Sequence, residues 1–320
     1  MTALETASLP VSTELPQRGR LWHLLKAARD LLSDSTAKLV GRFPVFEKLL
    51  LPIGRTCGNL PVANLLYRRS VETLSKEWTL RDRNFRKVAI ERLEFVYDVT
   101  DFSVSSSYFQ RSIFEPRTTR WLQTALGAGQ SFVDIGANRG YYAIQAALLV
   151  GASGKVFAFE PNPDVMAGLL KHLDLNQLKE RVELSPLALA DAPGELDFYI
   201  AQAPSNSGLS SLQPSSFALS AGLLSLEKRI KVRATTYDAW ARAHGLFEHP
   251  AGVLKIDVEG AELRVFQGMT QALREAPPPH IICETSFTGP ATALLKQAGY
   301  QAEMLDNIDG KEFGNILFSR

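Results

Sequence analysis

A chain of 320 residues that is 45% hydrophobic and 22% charged is globular by composition and long enough to bury one large core and a small second unit. Its formal net charge of +1 excludes the strongly basic balance of a nucleic-acid binder, and no nucleic-acid partner is indicated. The balance is uneven along the chain: residues 1–130 carry 19 Lys and Arg against 13 Asp and Glu, and residues 131–320 carry 16 against 21.

Residues 1–19 are polar, include Pro10 and Pro16, and read as a mobile tail. The start lacks the basic cluster and apolar stretch of a leader, and no apolar run reaches the roughly 18 residues that span a bilayer. The stretch LWHLLKAARDLL sets Leu21, Leu24, Leu25, Ala28, Leu31 and Leu32 on one helical face, expected to pack on the core of its own unit, with a partner or a membrane surface as the alternative. Residues 41–66 are apolar with Pro and Gly breaks and suggest no chemistry. Mixed signs in RDRNFRKVAIER read as a solvated face. A strand follows at about Leu93 to Val99, then a helix in FEPRTTRWLQTAL.

From Phe132 strands and helices alternate regularly. FVDI, GKVFAFEP, RVELSPLALAD, GVLKID and HIICET read as strands, with helices from Tyr141, in PDVMAGLLKHLDL, in AELRVFQGMTQALREA and in ATALLKQAG. Two β-like segments, ELDFYIA and IKVRATTYDAW, flank the Ser-rich loop SNSGLSSLQPSS, expected to be a mobile cover over the acceptor. YQAEMLD and FGNILFS close as an antiparallel pair. This succession predicts a Rossmann-like α/β fold: a mostly parallel seven-stranded sheet with helices on both faces and a C-terminal hairpin. Cys57 and Cys283 form neither a disulfide framework nor a metal knuckle. They fit a reducing compartment, so a cytoplasmic protein is expected. The five histidines show no metal spacing, and nothing in the sequence reports the oligomeric state.

The loop GANRG, Gly136 to Gly140, joins the strand at Phe132 to the next helix. A dinucleotide fingerprint would place glycines where Asn138 and Tyr141 stand. An Asn side chain at the point of closest approach disfavours a diphosphate, while Gly136 and Gly140 keep the turn tight. A nucleoside without phosphate suggests S-adenosyl-L-methionine, and Asp134 suits a ligand with ammonium and sulfonium charges. Ligands of such sheets bind beyond the carboxyl ends of the strands. There Glu160 is placed to accept from ribose hydroxyls and Asp191 to take the adenine amino group, or to serve only as a turn former. Asp257 projects toward the reactive methyl, with Lys255 on the same strand face as its ion partner. Glu259 lies near a helix N-terminus, where capping is an alternative role, and Glu262 and Arg264 fall on the exposed side of that helix unless Glu262 faces the cleft. Tyr141 and Tyr142 either pack or bring a ring near the sulfonium. Arg139 reads as an exposed first-turn residue.

Together VDIGANRG, FEPNP, LALAD and KIDVEGAE resemble the FkbM family of methyltransferases, and FEPRTTRW and SNSGLSSL also look like family features. The similarity covers about residues 92–320 as a methyltransferase domain and leaves residues 1–91 as a mainly helical extension of unassigned role. It implies a class I methyltransferase sheet and methyl transfer from S-adenosyl-L-methionine, typically to a hydroxyl of a sugar or natural product, so that the partner is a small-molecule or glycan acceptor. By this resemblance Asp134, Gly136, Ala137, Asn138, Gly140, Glu160 and Asn162 form the cofactor site, and Asp191 and Asp257 complete it.

Methyl transfer is an in-line displacement, and an alcohol needs a general base or a metal to attack. Asp257 is the nearest base, with Glu259 or Glu284 assisting. Because Asp257 and Glu284 end adjacent strands, they form an alternative Mg²⁺ pair, as in catechol-type O-methyltransferases, although no further ligands can be named. The competing readings are an N-methyltransferase, a nicotinamide oxidoreductase (opposed by the missing central glycine) and a non-catalytic cofactor-binding scaffold acting through residues 1–91.

Overall fold

The computed structural model describes residues 84–99, 101, 103–104, 113–201, 208–213, 219–220, 222–308, 310 and 312–320, together with Ser35, Lys38 and Trp78. The chain divides into two compact units, Met1–Leu80 and Arg81–Arg320. The expected tail, the helix at Leu21–Leu32 and residues 41–66 all lie outside the described residues.

The second unit is built on a seven-stranded sheet. It contains β3 (Ser131–Ile135), β4 (Lys155–Phe159), β5 (Val182–Ser185), β9 (Val253–Ile256), β10 (His280–Ser286), β11 (Gln301–Asn307) and β12 (Phe313–Ser319), in the order β11-β12-β10-β9-β3-β4-β5. The pairs β10–β12 and β11–β12 are antiparallel, and the others are parallel. From β3 the chain adds β4 and β5 on one side and later returns to place β9 on the other. The switch in strand order therefore falls between β3 and β9, where a crevice opens beyond the strand ends.

Alternation along the strands sorts the residues between two layers. Val133, Ile135, Phe157, Phe159, Leu254 and Ile256 point into the larger core, where they meet α4 (Tyr237–Ala243), α5 (Glu262–Gln267), α6 (Thr270–Glu275) and α7 (Pro290–Gln297). The intervening residues face the layer of α1 (Pro116–Ala125), α2 (Tyr141–Val150) and α3 (Pro163–Leu175). Parallel register sets Asp134 beside Lys255 and Lys255 beside Ile282, so Asp134, Lys255 and, one pleat further on, Glu284 share that second face.

Ahead of the sheet, β1 (Phe85–Ile90) and β2 (Leu93–Asp98) form an antiparallel hairpin. The mixed-charge stretch expected to be a solvated face holds a strand in which burial alternates: Val88 and Ile90 are buried while Lys87 and Ala89 are exposed. The hairpin docks on α3. Asn176 accepts from the Val96 N–H at 2.6 Å and donates to the Val96 carbonyl at 2.7 Å, while the His172 ring accepts from the Asp98 N–H at 3.0 Å and stacks on Tyr97. The expected 91/92 boundary falls in the turn of this hairpin, at Glu91 (φ 51°).

Two expected elements are broken. The strand RVELSPLALAD divides into β5 and β6 (Ala188–Leu189) around Pro186, which has no N–H to donate to a ladder. β6 joins β8 (Leu224–Thr235) and β7 (Gly194–Ala201) in a separate three-stranded sheet. The helix AELRVFQGMTQALREA becomes α5 and α6, interrupted at Gly268, where a Cβ would lie 2.0 Å from the Ala190 carbonyl oxygen. Among the described residues no helix is long and apolar enough to cross a membrane.

Replacing Asn176 by Ala removes both bonds to Val96 and strands its N–H and carbonyl. Denaturant unfolding is expected to show a loss of about 1–3 kcal/mol, and an unchanged midpoint would mean that the hairpin is held by other contacts.

Candidate active site

A cavity of about 580 Å³ opens at the carboxyl ends of β3, β4, β9 and β10. One wall is the loop after β3. Gly136 (φ 85°) lies so close to β9 that a Cβ would sit 1.9 Å from the Asp257 carbonyl oxygen, and Gly140 (φ 89°) leads into α2 against the Leu169 side chain. These two positions need glycine for both conformation and space. The N–H groups of Gly136 and Ala137 bond the Phe159 carbonyl at 3.1 and 2.9 Å, fixing the loop to the end of β4.

Just past β4, Glu160 is buried and lines this cavity. Its Oε2 accepts from the Asn138 N–H at 3.0 Å and its Oε1 from the Asn162 N–H at 2.8 Å. Burial pushes its carboxyl up to about 7, against the pull of those two bonds. Asp134 is likewise raised to about 7 by burial, with Lys255 opposing, and its Oδ2 has no hydrogen-bond partner among the described residues.

The other end of the cavity is a charge cluster centred on Lys255. This side chain is buried, its Nζ lies 3.0 Å from Asp257 Oδ2, and the Tyr142 ring lies 5.3 Å away. Burial alone would lower its pKa, but Asp257, Glu115 and Glu284 together outweigh that and raise it, so the ammonium stays charged. One carboxylate oxygen from each of Glu115, Asp257 and Glu284 lies within 4.8 Å of the others. Burial, then the Asp257 charge, push Glu284 up to about 10 and Glu259 up to about 8. The upward shift favours the protonated form of Glu284, in which the carboxyl can donate. Glu115 is also raised by burial, and it accepts from the Tyr142 hydroxyl at 2.5 Å.

Further residues close the cavity. Gly208, Leu209, Ser210 and Leu212, within the described part of the Ser-rich loop, line it, and the Ser211 hydroxyl is shared between the carbonyls of Val258 (3.1 Å) and Glu259 (2.7 Å). Tyr97, Asp101 and Ser103 line it from the hairpin side.

The chain matches the model of the methyltransferase FkbM domain over residues 134–314, more than half its length. It belongs to the FkbM methyltransferase family. The hexuronic acid methyltransferase AglP of Haloferax volcanii is 32% identical over 142 residues, which are 44% of this chain and 50% of that protein, so the chain spans about half the length of the curated relative it matches. Among solved structures, a methyltransferase FkbM from Methylobacillus flagellatus KT aligns at 12% identity and a TM-score of 0.41, covering 85% of this chain and 59% of that one. An S-adenosylmethionine-dependent O-methyltransferase from Thermotoga maritima aligns at 14% identity and a TM-score of 0.37, covering 64% and 65%.

In this member of the FkbM methyltransferase family, Asp134, Gly136, Ala137, Asn138, Glu160, Asp257, Glu259 and Glu284 all line the one cavity. Gly140 shapes the loop from outside it. Asn162 acts indirectly: its N–H holds Glu160, and its side chain caps α3 by accepting from Asp164. Asp191 is not at the cavity. It is exposed and pairs with Arg264 at 2.6 Å, because the break at Pro186 carries the chain into the smaller sheet before Asp191 is reached. Glu259 does not cap a helix: it sits in a left-handed turn (φ 55°), and α5 starts only at Glu262, which is buried and accepts from the Gly260 N–H. Arg139 lines the cavity between two carboxylates and is no solvated first-turn residue. The residue that sequence reasoning missed is Glu115. Its stretch, FEPRTTRW, was a visible family feature, but no spacing in the sequence links it to Asp257.

Lys255→Met would leave the neighbouring carboxylates uncompensated. It is expected to cost about 3–5 kcal/mol at neutral pH, with the loss shrinking as acid protonates the cluster. Unfolding curves at pH 5 and pH 8 check this, and an equal loss at both would argue against a charge-based role.

Proposed function

We propose that this chain transfers a methyl group from S-adenosyl-L-methionine to a hydroxyl of a carbohydrate or natural-product acceptor. The reading rests on one observation: a single cavity has a glycine loop with a buried carboxylate at one end and a lysine-centred carboxylate cluster at the other. The first end fits the cofactor. Each Glu160 oxygen spends one lone pair on a backbone N–H and keeps another for a ribose hydroxyl. Asp134 Oδ2, buried and without a hydrogen-bond partner among the described residues, suits the cofactor's positive charge, and Leu187, Ala188, Leu189 and Phe198 offer a purine an apolar wall. The bound cofactor supplies the electrophilic methyl group.

At the second end this chain's own residues orient and deprotonate the acceptor. Asp257 is the base in this reading, held by Lys255 through one oxygen. Glu284, carrying a proton, donates to an acceptor oxygen and helps set its direction of approach. The name of the relative AglP favours a carbohydrate acceptor, although the match covers only half of that protein. The Lys255 ammonium already stands at Asp257 and occupies the place of positive charge among the three clustered carboxylates, which disfavours Mg²⁺ there. We therefore read the transfer as metal-independent.

The test is release of S-adenosylhomocysteine by the full chain over a panel of glycans and hydroxylated metabolites. Turnover is expected to survive a chelator. Glu160→Ala is expected to weaken cofactor affinity by roughly 10- to 100-fold, the range for a charged hydrogen-bonding group. A variant that binds normally would sink the assignment. Binding of a cationic cofactor favours ionised Glu160 and Asp134, so affinity should rise from pH 6 to pH 8 and level off above their values of about 7. Titration calorimetry across that range checks the sign, and affinity that falls with rising pH would contradict it.

A further inference from the structure

The loop after β3 contains a cation that the proposed chemistry does not use. Arg139 lines the cavity together with Asn138, Tyr97, Asp101 and Ser103. Its backbone is fixed, because the Arg139 carbonyl bonds the His172 ring at 2.9 Å. Its stem runs past Gly168 of α3, where a Cβ would lie in ordinary contact, 3.7 Å from Arg139 Cγ. The guanidinium stands 3.5 Å from Asp98 and 3.6 Å from Asp101, close enough to be held but too far for good hydrogen bonds. Asp98 Oδ2 also accepts from Asn84, and Asp101 accepts the N–H and hydroxyl of Ser103 on Oδ1, which leaves its Oδ2 facing Arg139. Among the described residues the buried Arg139 Nε–H has no acceptor within hydrogen-bond distance, its nearest carboxylate oxygen being Asp101 Oδ2 at 3.6 Å. An oriented planar fork with unspent donors on a cavity wall is built to take a planar anion.

Charge narrows the choice. Two carboxylates around one guanidinium disfavour a simple anion, but they suit a zwitterion, whose carboxylate meets Arg139 while its ammonium meets Asp101. We propose that Arg139 anchors the carboxylate at the methionine end of the cofactor, with Asp98 and Asp101 as positioning residues. The inference rests on the reading of S-adenosyl-L-methionine as the cofactor. It places part of the cofactor site on the β1–β2 hairpin and the segment after it, ahead of residues 134–314 that match the family.

The experiment titrates the full chain with S-adenosyl-L-methionine and with its decarboxylated analogue, which keeps the adenosine, the sulfonium and the amine. The wild type is expected to prefer the former by roughly 10- to 100-fold, the scale of a charge-assisted pair. Arg139→Gln should erase that preference by weakening only the carboxylate-bearing ligand, with affinity for the analogue kept within about twofold. Arg139→Lys, which retains the charge but not the fork, should fall between. The analogue doubles as the folding control for both variants. A wild type without preference overturns the proposal, and so does an Arg139→Gln protein that keeps it. A wild type that binds neither compound overturns the cofactor reading itself, which separates the two failures.

Discussion

A buried ammonium is the constraint around which this molecule is arranged. Lys255 is 1% exposed in the middle strand of a parallel sheet, and a lone charge there would cost several kcal/mol. It is tolerated because Asp257, Glu115 and Glu284 stand around it, and they in turn could not gather without it. Mutual dependence of this kind ties three remote parts of the chain to one point: the segment leading into α1, the end of β9, and β10. Burial pushes the carboxyls of Glu115 and Glu284 upward, which limits the negative charge that the cluster accumulates around the ammonium. Stability and chemistry are thus set by one balance of burial against Coulomb attraction.

The cofactor loop is coupled to that cluster through backbone. Gly136 rests against the Asp257 carbonyl with no room for a methyl group, so β3 and β9 fix the loop and the base as one rigid piece. Ser211 adds a third element by bonding the carbonyls of Val258 and Glu259. The hairpin contributes a fourth, anchored on α3 by Asn176 and His172, and its far end supplies Tyr97 and Asp101 to the cavity. Short-range sterics and backbone hydrogen bonds therefore do the positioning, and the charged side chains are carried to their places.

Much of this was legible beforehand, for identifiable reasons. Strand alternation announced that Lys255 and Asp257 share a face, and the ion pair at 3.0 Å follows from that period alone. The glycines of GANRG signalled a close approach, and Glu160 at the end of the next strand signalled a polar partner beside it. Reading failed where a residue's surroundings come from distant sequence. Asp191 was placed by counting strand ends, but a proline inside the strand diverted the chain into a second sheet. The mixed charges of RDRNFRKVAIER hid β1 because half of an edge hairpin faces water.

Local pattern by itself determined the succession of strands and helices, the glycine turn and the carboxylates that close strands, since each follows from steric and hydrophobic periods only a few residues long. Tertiary structure decided which carboxylates meet. Glu115 reaches Lys255 across 140 residues, Arg139 falls between Asp98 and Asp101, and Asp191 is spent on Arg264. Coulomb energy depends on distance in space, and distance in space is fixed by strand order and packing that no short stretch of sequence contains.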